Sequence, residues 1–150
     1  MQTKDLSVEI KNLNLKNPPL FKEEEHLKYI NDWRGQYTGK AVAILRPTNT
    51  LEVSAIVKFA FENNISIVPQ GGNTSLCGAA TPDQSGNSII VSLEKMNNVR
   101  QFNKKAQTIT VESGMILSQI HELVEKEDLF FPLSLGAKGS CMIGGNLSTN

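Results

Sequence analysis

From Ala41 to Val68 the chain changes hydrophobic period twice, and that change constrains the fold more than any other feature. AVAIL (41–45) is a short apolar run after Gly39, closed by Arg46-Pro47, and such a run predicts a buried strand. Asn49 followed by Glu52 makes a capping-box-like start. Val53, Ile56, Val57, Ala60 and Phe61 then recur at the spacing of one buried helical stripe. Asn63-Asn64 suits the left-handed turn that ends a helix, and ISIV (65–68) predicts a second strand. Strand, helix and strand spaced this closely imply a right-handed parallel crossover. The uncharged stretch PQGGNTSLCG (69–78) leaves the carboxyl end of the second strand, where parallel sheets place their ligands.

The rest of the chain reads as shorter elements. SIIVSL (88–93), the segment from Val99 to Phe102, and TITVE (108–112) predict strands, the last by clear period-two alternation. Ile116, Leu117, Ile120, Leu123 and Val124 form another helical stripe. Residues 1–35 are rich in Lys, Glu and Asn, and Leu20, Phe21, Leu27, Ile30 and Trp33 predict one amphipathic helix after Pro18-Pro19. This gives an expected division into a helical extension, 1–35, and a main domain, 36–150. The last residues lie inside a glycine-rich motif, where natural domains rarely end, so the domain is expected to be incomplete.

Fifteen basic and fifteen acidic residues balance to a formal net charge of +0, which provides no electrostatic footprint for nucleic acid or an anionic membrane surface. The N-terminus lacks a basic region followed by an apolar one, and no apolar run approaches the roughly 18 residues of a spanning helix. Cys77 and Cys141 have no CxxC or Cys/His ligand spacing, so both are expected as reduced thiols in a cytoplasmic protein. His26 and His121 sit in charged, helix-like surroundings and are expected at the surface.

Two glycine-rich segments hold seven of the 11 glycines: Gly71, Gly72 and Gly78 in the first, Gly136, Gly139, Gly144 and Gly145 in the second. Without Cβ the backbone reaches positive φ and approaches a ligand closely, so N–H groups can converge on one point. Asn73, Thr74, Ser75, Ser140, Asn146, Ser148 and Thr149 add short donors, and Lys138 is the only charged side chain in either segment. One Gly-Gly-Asn loop is ordinarily a turn. Two in one chain of this size, one directly after a parallel strand, point to a phosphate-bearing cofactor held by oriented dipoles. The adjacent Gly71-Gly72 does not fit GxGxxG, and Gly145 stands where a P-loop has lysine, so neither common nucleotide fingerprint applies.

VPQGGNTSLCGAATPD (68–83), VSLEKMNNV (91–99), TVESG (110–114) and FPLSLGAKGSCMIGGNLSTN (131–150) resemble the FAD-binding domain of the vanillyl-alcohol-oxidase, or PCMH-type, flavoproteins. The resemblance covers about residues 30–150. It is strongest to the branch of D-2-hydroxyglutarate dehydrogenase, D-lactate dehydrogenase and the glycolate oxidase FAD subunit. It implies an α+β fold, with a βαβ subdomain followed by the start of a second, mixed or antiparallel sheet, and FAD between them. Carried over by position, Pro69, Gly71, Gly72, Asn73, Thr74, Ser75 and Gly78 match the first cradle. Pro132, Gly139, Ser140, Gly144, Gly145, Asn146 and Thr149 match the second. Covalent members have a histidine where Asn73 stands, so the resemblance implies a non-covalent flavin. Cys77 is expected as a small filler under the loop, because this segment lacks the positive neighbours that activate a thiol.

The resemblance further implies oxidation of a 2-hydroxy acid to a 2-oxo acid by hydride transfer to flavin N5. It puts the base and any zinc-type metal downstream of residue 150, and His121 matches no catalytic position. Three functions stay open at this point: the N-terminal part of an FAD-dependent D-2-hydroxyacid dehydrogenase, an inert flavin-binding module completed by a partner chain or a second copy, and a remnant whose loops are only turns. An apolar patch left exposed on the incomplete face would favour the second.

Overall fold

The computed structural model describes residues 6–149. In chain order its elements are α1 (Leu6–Lys11), α2 (Glu23–Ile30), β1 (Ala43–Leu45), α3 (Thr50–Glu62), β2 (Ser66–Gln70), β3 (Ser88–Ser92), β4 (Val99–Asn103), β5 (Thr108–Val111), α4 (Leu117–Glu125) and α5 (Ile143–Thr149). β1, β3 and β2 form one parallel sheet in that order, and β4 and β5 form an antiparallel pair. The expected strand–helix–strand unit is present, but its two strands are not neighbours. β3 lies between them, with Ile89, Ile90 and Val91 apolar and every residue from Ser88 to Ser92 buried. This is the α+β arrangement of a parallel unit followed by an antiparallel one.

Period two decides what each face of the parallel sheet buries. Ala43, Leu45, Ile89 and Val91 point to one face and pack with Ile10, Ile56, Phe59, Ala60 and Ile65. Ile44 and Ile90 point to the other and pack with Tyr29 of α2. Helices thus cover both faces, the condition under which short all-apolar strands persist as a parallel sheet. The antiparallel unit has its own core, in which Met115, Ile120, Val124 and Ile143 pack against Phe102, Ile109 and Val111.

Several helix expectations need correction. α3 begins as expected, with the Glu52 N–H donating to Asn49 Oδ1 at 3.0 Å. Asn64 has φ +53° just past its end. Its buried side chains, however, are Ile56, Phe59 and Ala60, while Val57 is 48% and Phe61 84% exposed. The helix is rolled so that Phe59 takes the inward place. In α2 the apolar Leu27 and, beyond the helix end, Trp33 are exposed, whereas His26 and Tyr29 are buried. The His26 ring is inside, against expectation, because its Nε2 is 3.0 Å from the Leu20 carbonyl. His121 is partly buried, with Nε2 2.9 Å from the Leu133 carbonyl and its ring against Phe131.

Glu112 fastens the end of the antiparallel pair, where β5 leaves and β4 begins. Its carboxylate accepts from the Asn98 N–H at 3.0 Å, from Asn98 Nδ2 at 2.9 Å and from Arg100 at 3.1 Å. Gly114, two residues on, passes so close to the segment after β3 that a Cβ would lie 1.9 Å from the Leu93 carbonyl oxygen. The Asn98 backbone donor, helped by the Asn98 amide and Arg100, holds the Glu112 carboxyl below its ordinary range in spite of burial. A folded pKa below the unfolded one contributes stability above the unfolded value, and that stability is lost as pH falls through the folded value. Glu112→Gln should therefore unfold at a lower temperature than wild type at pH 7, and the gap should narrow between pH 5 and 3 in thermal melts followed by circular dichroism.

Candidate functional site

β2 runs apolar to Pro69 and ends in Gln70, which is 2% exposed and pairs with Ser92 at the carboxyl edge of the sheet. The glycine segment starts there. Gly71 lies under Met142, where a Cβ would be 3.3 Å from that of Met142. Gly72 is closer still: its Cβ would stand 2.0 Å from the Ser140 carbonyl oxygen. The two glycine-rich segments are therefore in main-chain contact, and Gly72 is glycine because Ser140 leaves no room for any side chain. Its φ is not positive. The left-handed residues of this loop are Asn73 (φ +53°) and Gly78 (φ +68°).

A cleft of about 200 Å³ opens at this contact, lined by Gln70, Gly71, Gly72, Asn73, Ser140 and Met142, with Lys28, Tyr29 and Glu94 at its side. Glu94 accepts from the Tyr29 hydroxyl at 3.2 Å and stands near Lys28 and Arg46, 3.9 and 3.8 Å away. The donor side of the cleft is main chain. From Gly71 through Leu76, six consecutive N–H groups find no acceptor among the described residues, nor do those of Met142 and Gly145. These residues are half-buried, with Leu76 exposed, so the six N–H groups are open to solvent and available to an anion or to water. Asn146 adds a buried side-chain oxygen without a partner.

Of the residues carried over from sequence, Gly71, Gly72, Asn73 and Ser140 line this one cleft, and Thr74 and Ser75 continue the donor run. Others serve elsewhere. Pro69 pairs with Val91 inside the sheet. Gly78 turns under the Tyr37 ring, and Gly144 packs on Ser113. The Thr149 hydroxyl bonds the Gly145 carbonyl at 2.9 Å. Gly139 and Gly145 face open space, and Pro132 is exposed away from the cleft. Cys77 is exposed rather than packed beneath the loop. The Ser75 hydroxyl, 3.0 Å from its Sγ, and the Ala79 N–H draw its thiol below the ordinary range. Sequence reading missed Gln70, Tyr29 and Met142. Gln70 could have been noticed as a single polar residue between an apolar strand and Gly-Gly.

Parallel sheet, carboxyl-edge loop and unpartnered donors together make the arrangement in which α/β domains hold phosphate-bearing ligands. The family described as FAD binding domain matches residues 41–150. The chain belongs to that family, the PCMH-type FAD-binding domains. Over 129 residues, 85% of the chain, it is 40% identical to a probable mitochondrial D-2-hydroxyglutarate dehydrogenase of Oryza sativa subsp. indica, of which this covers 23%. Over its whole length it is 37% identical to the mitochondrial D-2-hydroxyglutarate dehydrogenase of Arabidopsis thaliana, covering 26% of that protein. The chain thus spans about a quarter of these relatives. Alkyldihydroxyacetonephosphate synthase has the same fold over 99% of the chain and 29% of the synthase, with a TM-score of 0.84 at 19% identity. Xylooligosaccharide oxidase from Myceliophthora thermophila matches 91% of the chain and 28% of the oxidase, with a TM-score of 0.71 at 21% identity. Among the described residues, no helix is long and apolar enough to cross a membrane.

Proposed function

We propose that this chain is the N-terminal, FAD-binding portion of a flavin-dependent D-2-hydroxyacid dehydrogenase of the D-2-hydroxyglutarate or D-lactate type. The observation that carries the reading is the run of unpartnered N–H groups from Gly71 to Leu76, beside Ser140, in a chain 37–40% identical to D-2-hydroxyglutarate dehydrogenases. Bound FAD would supply the hydride acceptor for oxidation of a 2-hydroxy acid to a 2-oxo acid.

The chain's own residues bind and orient. The main-chain donors of Gly71 through Ser75 hold the pyrophosphate, with Gly72 allowing the second segment to close on the first. Ser140 forms the opposite wall, and Gly139, Gly145 and Asn146 lie beside it in the second segment as further candidates. Asn73 is an amide whose Nδ2 donates to the Asn31 carbonyl at 2.7 Å, and it offers no nucleophile, which supports a flavin held without a covalent bond at that position. The base that takes the hydroxyl proton, and any zinc-type metal, belong to a longer protein's further residues. Two free thiols, Cys77 and Cys141, fit a reducing compartment, of which the cytoplasm proposed here is one.

Thermal unfolding with and without FAD tests this reading. FAD at about a hundred times its Kd stabilises the folded chain by about 2.7 kcal/mol, while NAD and ATP leave the midpoint unmoved. No rise with FAD rejects the reading for this chain. The exposed Leu76, Phe130, Leu135 and Leu147, on or next to the two glycine-rich segments, favour a second reading, a module completed by a partner chain or second copy. That reading expects the rise only above the concentration at which sedimentation shows association.

A further inference from the structure

Residues 29–40 precede the matched family region; Tyr29 and Ile30 end α2, and residues 31–38 fold into a hairpin. Asn31 and Thr38 form an antiparallel bridge. The Asp32 N–H donates to the Tyr37 carbonyl at 3.0 Å, and the buried Asp32 carboxylate accepts the Tyr37 N–H at 2.7 Å. Gly35 occupies the tip with φ +67°. The body of this hairpin contacts the first glycine-rich segment and the turn after it.

Gln70 makes the central tie. Buried at the end of β2, it donates from Nε2 to the Tyr29 carbonyl and to the Ala80 carbonyl, both at 2.8 Å, so one amide clasps the two ends of the loop to α2. Asn73, at the left-handed position, donates from Nδ2 to the Asn31 carbonyl at 2.7 Å. The Tyr37 ring lies over Gly78, where a Cβ would fall 2.7 Å from it. A Cβ on Gly39 would lie 1.9 Å from the Pro82 carbonyl oxygen. The Lys40 N–H donates to the Asp83 carbonyl at 2.8 Å, and the Gln84 amide to the Thr38 carbonyl.

The loop needs such support because it has almost none of its own. Its N–H groups from Gly71 to Leu76 make no hydrogen bond among the described residues, so no main-chain bond donated by these residues fixes its shape. A segment of that kind, left alone, is an ensemble, and a ligand that orders it binds more weakly by the cost of ordering. We infer that residues 29–40, the end of α2 with the hairpin after it, are a brace that pre-shapes the phosphate cradle, with Gln70 and Asn73 as the positioning residues that transmit it. The boundary expected between residues 35 and 36 falls inside this brace. The ligand half of the inference rests on the FAD reading above; the order of the loop does not.

The test uses the full chain and two variants, Asn73→Gly, which keeps the left-handed backbone and removes the tie to Asn31, and Gln70→Met, which keeps the volume and removes both ties. Heteronuclear ¹⁵N NOEs of Gly71 through Leu76 are measured without ligand, and FAD affinity by fluorescence titration. In wild type the loop amides are as ordered as those of β3. In both variants they lose that order while β3 keeps it, and FAD binds at least about tenfold more weakly. Asn73→Gly, at a partly exposed position, keeps the wild-type unfolding midpoint, which separates positioning from general stability. A loop that is disordered in wild type, or that stays ordered in both variants, overturns the brace. Loss of order with unchanged FAD affinity overturns its bearing on the cradle. If wild type takes up no FAD, the FAD reading fails for this chain, and the NOEs still decide whether the brace exists.

Discussion

Gly72→Val is expected to abolish FAD binding, with affinity falling more than a hundredfold in a fluorescence titration and no FAD-induced rise in the unfolding midpoint. The first valine carbon would be placed 2.0 Å from the Ser140 carbonyl oxygen and 2.9 Å from its carbon, and both are main-chain atoms that no rotamer change can move. The two segments must part by more than an ångström. That separation takes Ser140 away from the Gly71–Asn73 donors and widens the cleft that both line. The parallel sheet below is untouched, because its contacts lie among β1, β2, β3 and the helices on its faces. Circular dichroism should therefore show retained secondary structure. Gly136→Ala is the matching control: a Cβ there meets nothing within 4 Å, so the added methyl is tolerated and FAD binding persists. Equal FAD affinity in Gly72→Val and wild type would sink the cradle assignment.

What the sequence made legible was local. Period and caps located β1, α3, β2, the later strands and α4 to within a few residues, because each signal is carried by neighbours in the chain: Asn49 above its own helix, Asn64 after it, TITV alternating by itself. Long-range choices were not visible. Nothing in SIIVS says that it enters between β1 and β2, since any short strand with an apolar centre would satisfy both flanks. The roll of α3 that buries Phe59 and exposes Phe61 is set by what the sheet offers, and the stripe alone fits either rotation. His26 and Cys77 were misplaced for the same reason: one finds a carbonyl inside, the other a hydroxyl outside.

The candidate site was legible as a list and not as an arrangement. Composition picked out glycine and small polar residues, and four of them do line one cleft. It read the glycines as positive φ and close approach to a ligand, whereas at Gly72 φ is not positive and the close approach is by another segment, and it left out Gln70, which acts through two partners 41 and 10 residues away. Side chains that act by holding main chain leave little trace in a one-dimensional reading.

The second large effect separates the two faces of the sheet. Ile89 and Ile90 are neighbours in the central strand and both are 0% exposed, so truncating either to alanine removes comparable apolar volume. Each change should cost about 3 kcal/mol and lower the unfolding midpoint by about 10 °C. Against a total of about 5–15 kcal/mol both chains still fold at room temperature. Their effects on ligand binding should differ. Ile89 packs with Ile56 and Phe59 on the face away from the hairpin. Ile90 packs with Tyr29, whose carbonyl accepts the Gln70 amide that clasps the loop. A cavity beneath Tyr29 lets that carbonyl move, and the clasp moves with it. Ile90→Ala should therefore weaken FAD binding by about tenfold at 15 °C, where both variants are folded, while Ile89→Ala stays within about twofold of wild type. Equal losses in the two variants would mean that FAD affinity follows overall stability and owes nothing to the face on which Tyr29 sits.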